Sequence, residues 1–140
     1  MFSFIPPYFD QVFELNLHEI QTTNIALYTT ANWALPILSK APTSSNPSLL
    51  VTSSLLWKEP YPPFFALSLV KASQRNLVQT LAATYPDIHL ALLNVGGIVN
   101  KEDKYLNPDA IAEHYWDLYA QKKEEWTFDL DVLPKLEGNY

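Results

Sequence analysis

The stretch LLVTSSLLWKEPYPPFFALSLVKASQRNL, residues 49–77, decides the fold. LLVTSS, residues 49–54, is a short apolar run with a β-branched centre, which fits a fully buried strand. WKEPYPP is proline-rich and extended. From Pro63, a residue tolerated in a first helical turn, FFALSLVKASQRNLVQTLAATY predicts a helix reaching Tyr85. Phe64, Leu67, Val70, Leu77 and Leu81 are its expected buried stripe. Ser54 then stands at a strand's carboxyl end, and Lys71 lies on the next helix. In open α/β folds that edge of the sheet is where ligands bind. A plainer reading of the same residues has Ser54 as a turn former and Lys71 as a solvated helix side chain.

Upstream, Phe9, Val12, Phe13, Leu17, Ile20, Ile25, Leu27 and Leu35 recur at helical spacing and predict one long helix over residues 7–33. Pro36 is expected to end it, because proline disfavours helical geometry in the residue before it. SKAPTSSNPS reads as a surface loop. Downstream, Pro86-Asp87 turns the chain. IHLALLNV is a second buried strand, closed by Gly96-Gly97. Asn107-Pro108-Asp109 reads as an N-cap with proline at the first helical position. The predicted helix covers AIAEHYWDLYAQKKEEW, with Ile111, Tyr115, Leu118 and Tyr119 facing inward. WTFDLDV alternates as a third strand. Strands separated by helical crossovers imply a parallel sheet with right-handed connections, in one domain spanning residues 1–140.

Composition narrows the function classes. The chain is 48% apolar and 14% aromatic, enough for a packed core. A net charge of −6 with no basic cluster argues against nucleic acid. The absence of Cys excludes disulfides, Cys-ligated zinc and thiol nucleophiles. MFSFIPPYFDQ lacks a basic n-region and a long apolar run, so no secretory leader is expected. No stretch approaches ~18 uninterrupted apolar residues, so no membrane span is predicted and a cytoplasmic location is the default. With only 3 Gly, no Gly-rich phosphate loop of the usual kind can be built from these residues.

The order of segments resembles the C-terminal half of the short-chain dehydrogenase/reductase family. There an Asn-bearing helix leads to a strand ending in a catalytic Ser. A Tyr follows 13 residues later, and a Lys four residues after the Tyr. The next strand ends in a Pro-Gly turn that touches the nicotinamide. FELNLHEI matches the Asn helix, with Asn16 in that place, and VTSS supplies Ser54. Lys71 takes the Lys position. NVGGIVN matches the turn, with Val95 for the proline, followed by Gly96, Ile98 and Asn100. The likeness runs from about residue 9 to residue 132. It implies an α/β fold, the C-terminal part of a Rossmann-like doubly wound parallel sheet with about three strands. It also implies NADP(H)-dependent hydride transfer on the carbonyl or alcohol of an apolar small molecule, a setting such as secondary metabolism, and no metal. Ser54, Lys71 and Asn16 would be the catalytic residues, and Lys71, Ile98 and Asn100 would hold the cofactor.

Two departures bear on activity. Leu67 occupies the Tyr position, and leucine has no proton to give as a general acid. Ser68 lies about 100° further around the helix, and Tyr61 sits in the proline segment. The family's phosphate-binding first half also has no counterpart here, so a truncated domain is expected, binding dinucleotide weakly by itself. Its first strand would be left as an unpaired sheet edge. A second copy of this chain, or a separate polypeptide, would complete the sheet. Two other classes remain open: a non-catalytic remnant or partner module, and a cofactor-free isomerase or cyclase using an apolar pocket around Tyr115 and Trp116. His18, His89 and His114 are too scattered for a metal site, and His89 is expected to pack. Glu113 and Asp117 read as a solvated helix face. The two long helices would be the pair that forms a dimer interface in many family members, or plain core.

Overall fold

A computed structural model describes residues 17–134. Three strands form one sheet in the order β1-β2-β3, with β1 over Ser48–Ser54, β2 over His89–Val95 and β3 over Asp129–Val132. Both pairings are parallel, with Val51 opposite Leu92 and Leu92 opposite Asp129. The helices between them are α1, Ala26–Leu38, α2, Phe65–Thr84, and α3, Pro108–Ala120.

β2 is central, and its first six residues are buried, because helices cover both faces. Alternate residues feed two cores. Leu90 and Leu92 pack with Val51, Ala31 and Leu35 of α1 and Val78 of α2. Ala91 and Leu93 pack with Ile111 and Leu118 of α3, Leu106 and Val132. β1 reads as a buried strand in the sequence, yet it is only partly buried, because its outer edge has no partner among the described residues. Among the described residues β1 is therefore an edge strand, and only Val51 and Ser53 along it are fully buried.

Three expectations need correction. The first helix runs through Pro36 to Leu38 instead of stopping before the proline. Its last turn is held by burial of Leu35 and by the Ser39 backbone and hydroxyl, which both donate to the Leu35 carbonyl. A π-helical turn, Ile20–Ile25, precedes α1, and the part of the expected helix before residue 17 lies outside the described residues. The third helix stops at Ala120, and KEE forms only a 3₁₀ turn, Lys123–Glu125. There the Gln121 side chain pairs with the Thr127 amide and hydroxyl, closing the connection to β3. On α2 the buried face is Ser68, Val70, Gln74 and Val78, whereas Phe64 is exposed and Leu67, Leu77 and Leu81 are only partly covered.

Two local expectations match, the α3 cap and the packing of His89. The Asn107 carboxamide oxygen accepts from the Ala110 amide at 2.9 Å, capping α3. His89 packs: its ring lies parallel to Trp126, with centroids 4.9 Å apart, and its Nε2 is 2.9 Å from the Thr127 carbonyl. Among the described residues no helix is long and apolar enough to cross a membrane.

Candidate functional site

A parallel sheet brings the carboxyl ends of its strands together, and here it gathers the segments that follow β1 and β2. Ser54, Leu55, Leu56 and Glu59 form one wall of a cavity of about 380 Å³. Val95, Gly96, Gly97 and Ile98 form another, and Phe64 and Leu67 of the α2 entry close a third. Two residues from β1 and α2 that are 13 apart in sequence thus face one apolar space with the turn after β2.

Ser54 sits at the last position of β1, half-buried. Its hydroxyl oxygen accepts from the Leu56 amide at 3.4 Å, which leaves its own proton free to donate. Ser53 points the other way, and its hydroxyl is buried without a partner among the described residues. Leu67 lines the cavity where the resemblance places a tyrosine. Ser68 does not substitute for it: its hydroxyl donates to the Phe64 carbonyl at 2.8 Å and accepts from the Tyr61 amide at 3.3 Å. Tyr61 is turned to solvent, its ring edge-on to Phe64 with centroids 5.5 Å apart.

The turn after β2 has two tightly packed glycines. A Cβ on Gly96 would meet Leu133 Cδ2 at 2.8 Å, the Val132 carbonyl at 3.0 Å and Leu55 Cδ1 at 3.1 Å. One on Gly97 would meet only Leu106 Cδ1, at 2.7 Å. Ile98 lines the cavity and is 90% exposed, so an apolar side chain stands open to whatever enters. Asn100 lies beyond, where its carboxamide oxygen accepts from the Glu102 amide at 3.1 Å and its backbone amide donates to Leu106.

Lys71 is not among the cavity residues. Half-buried on α2, its ammonium donates to Gln74 Oε1 at 3.3 Å. Burial pushes its pKa below the ordinary lysine value, and the Glu19 carboxylate acts in the opposite sense. That carboxylate belongs to the turn before the π-helical segment, which Asn24 ties to α2 through the Val70 carbonyl at 3.3 Å and Ser73 Oγ at 2.9 Å. Asn16 itself lies outside the described residues. Tyr115 and Trp116 are not among the residues that line this cavity. The Tyr115 hydroxyl is hydrogen-bonded to Thr52, and Trp116 is 70% exposed. Among the described residues no group of three or more His, Asp or Glu gathers as metal ligands would.

Sequence reasoning missed a polar network on the α2 face of the sheet. Asn94, fully buried on the central strand, donates to Asp129 Oδ1 at 3.2 Å and Asp131 Oδ1 at 2.9 Å. Asp129 pairs with Arg75 of α2 at 2.7 Å, and Asp131 pairs with Lys58 at 3.2 Å. The Arg75 guanidinium lies over the Trp57 ring, 4.1 Å from its centroid. Trp57 and Lys58 belong to the segment whose Leu55, Leu56 and Glu59 form the cavity wall. The network therefore holds the turn that carries that wall. Its only signal in the sequence was the pair of aspartates two residues apart in a strand, which places both on one face.

No protein-family model matches the chain, and no curated protein matches it. Solved structures do. The short-chain dehydrogenase from Rhodopseudomonas palustris aligns with a TM-score of 0.69 at 22% identity, over 86% of this chain and 52% of that one. The alcohol dehydrogenase from the archaeon Thermococcus sibiricus, complexed with 5-hydroxy-NADP, aligns with a TM-score of 0.57 at 25% identity, over 70% of this chain and 46% of that one. The chain thus spans about half the length of the solved structures it matches. Its three parallel strands and flanking helices are a Rossmann-like fragment of the short-chain dehydrogenase fold.

Proposed function

We propose that the chain supplies the substrate-side half of an NADP(H)-dependent oxidoreductase site, acting on the carbonyl or alcohol of an apolar small molecule. The observation that carries this reading is the shared cavity of Ser54, Leu67 and the turn 95–98. The solved alcohol dehydrogenase with 5-hydroxy-NADP adds an analogy of fold.

The residues fit the nicotinamide end of such a cofactor. The exposed Ile98 offers an apolar wall for a planar ring, and the Ser54 end of the cavity leaves room beside it for a small substrate. Lys71 and Asn100 would hold the adjoining ribose, each by exchanging its present partner, Gln74 or the Glu102 amide. No Gly-rich segment among the 140 residues cradles a pyrophosphate. The phosphates would therefore be held by groups outside these 140 residues. When bound, the nicotinamide supplies or accepts the hydride at the substrate carbon.

The chain's own residues then act on the substrate oxygen. Charge develops on that oxygen as the hydride arrives, and the free Ser54 proton is the donor placed to stabilise it. Leu67 gives no proton, so the proton that completes the alcohol comes from water at the open side of the cavity. Lacking a positioned acid, turnover is slower by a factor on the order of 10²–10⁴ than with one.

The half-bare β1 completes the proposal. Its outer backbone groups would take a parallel strand from a second polypeptide or a second copy of this chain. The non-catalytic partner-module reading draws on this same edge and on Leu67. Thermal melting of the full chain with and without NADPH separates the two. A ligand that binds only the folded state stabilises it by ~2.7 kcal/mol at a hundredfold excess over Kd. A raised melting temperature, with NADPH oxidation by apolar ketones, supports the oxidoreductase. No shift, with the binding of a partner chain instead, supports the module.

A further inference from the structure

We propose that Glu59 makes the cavity selective for an apolar ligand bearing an ammonium group; this rests on reading the cavity as a ligand site. Of the described residues that line the cavity, Glu59 is the one that ionises, and Ser54 carries the other polar side chain. The rest is aliphatic, aromatic or glycine. Among the described residues the four ion pairs leave the Glu59 carboxylate uncompensated. The neighbouring cation, Lys58, is already committed to Asp131.

The backbone that carries Glu59 is fixed. Its amide donates to the Leu55 carbonyl at 2.9 Å, and Pro60 follows. Trp57 and Lys58 tie the same turn to Arg75 and Asp131. A carboxylate on an anchored wall, at the open mouth of an apolar space, prefers a ligand with an apolar body and a cationic head. The body would lie against Leu55, Leu56, Phe64 and Leu67, and the head would meet the carboxylate. The chain's net charge of −6 adds a field of the same sign. Because Glu59 is exposed, the pair is of the surface kind, and the expected preference is about fivefold.

The test titrates the full chain with cyclohexylmethylamine, cyclohexylmethanol and cyclohexanecarboxylate at pH 7, following the Gly96 and Gly97 amides by NMR. The expected order of affinity is amine, alcohol, carboxylate, with the amine about fivefold ahead of the alcohol. In Glu59→Gln the amine and alcohol converge; the site is exposed, so the variant keeps the fold. Equal affinities in the unaltered chain, or a preference that survives Glu59→Gln, overturn the assignment while leaving a ligand cavity in place. If none of the three moves those amides, the cavity reading itself fails and takes the assignment with it.

Discussion

Replacing Arg75 with Met tests the network behind the cavity wall. The substitution keeps the unbranched stem and removes the guanidinium. Lost with it are the 2.7 Å pair to Asp129 and the stack on Trp57 at 4.1 Å. The two side chains of the pair are 23% and 25% exposed, between the surface and buried limits. Exposed pairs are worth about 0–1 kcal/mol, and breaking buried ones costs about 3–5 kcal/mol. The intermediate value is about 2 kcal/mol. The stack adds about 0.5–1 kcal/mol. Arg75→Met should therefore destabilise the fold by about 2–3 kcal/mol. In urea, where small domains lose about 1–3 kcal/mol per M, the midpoint should fall by about 1 M or more. Asp129→Asn in the same background should add much less than it does alone, because the two groups share one interaction. A midpoint within about 0.3 M of the parent, or simple additivity in the double variant, would refute the claim that this network holds the wall.

Other expected outcomes follow from single sites. Leu67→Tyr places a phenol in the cavity that Ser54 lines, and it should raise any NADPH-dependent carbonyl reduction by about 10²–10⁴ in kcat, read by NADPH absorbance. Gly96→Ala should cost about 1–3 kcal/mol in chemical unfolding, since its Cβ would press on the Val132 carbonyl. Gly97→Ala should cost less, because only the flexible tip of Leu106 has to yield. Lys71 has a folded-state pKa below its unfolded one, because burial penalises the ammonium. The unfolded chain therefore binds more protons between the two values. Stability should rise as pH climbs from the folded pKa toward 10.5. Lys71→Met should flatten that rise, measured by urea unfolding across pH.

The sequence was legible where one local rule and the topology agreed. Asn107-Pro108 marks a helix start because cap chemistry is local, and the cap forms. Ser54 and the turn 95–98 could be placed together because parallel strands necessarily align their carboxyl ends. Pro36 misled, because the local cost of a proline in a last turn is smaller than the gain from burying Leu35. The stripe on α2 was misjudged because Ser68 and Gln74 are buried polar residues satisfied within the helix, by Phe64 and Lys71. The Asp129–Asn94–Asp131 cluster was hidden for a related reason. Alternation in WTFDLDV suggests a polar face toward solvent, whereas that face meets Arg75 and Trp57. Glu59 looked like part of a proline linker, and only the folded turn shows that it borders the cavity.

The most direct measurement is an amide NMR map of the full chain as NADPH and an apolar ketone are added in turn. Shifts that concentrate at residues 54–56, Leu67 and 95–98, and extend to Lys71 with the nucleotide, are the predicted result. No shifts at saturating nucleotide and ketone, or shifts confined to the opposite end of the sheet around residues 84–88, would contradict the assignment of this cavity as the site.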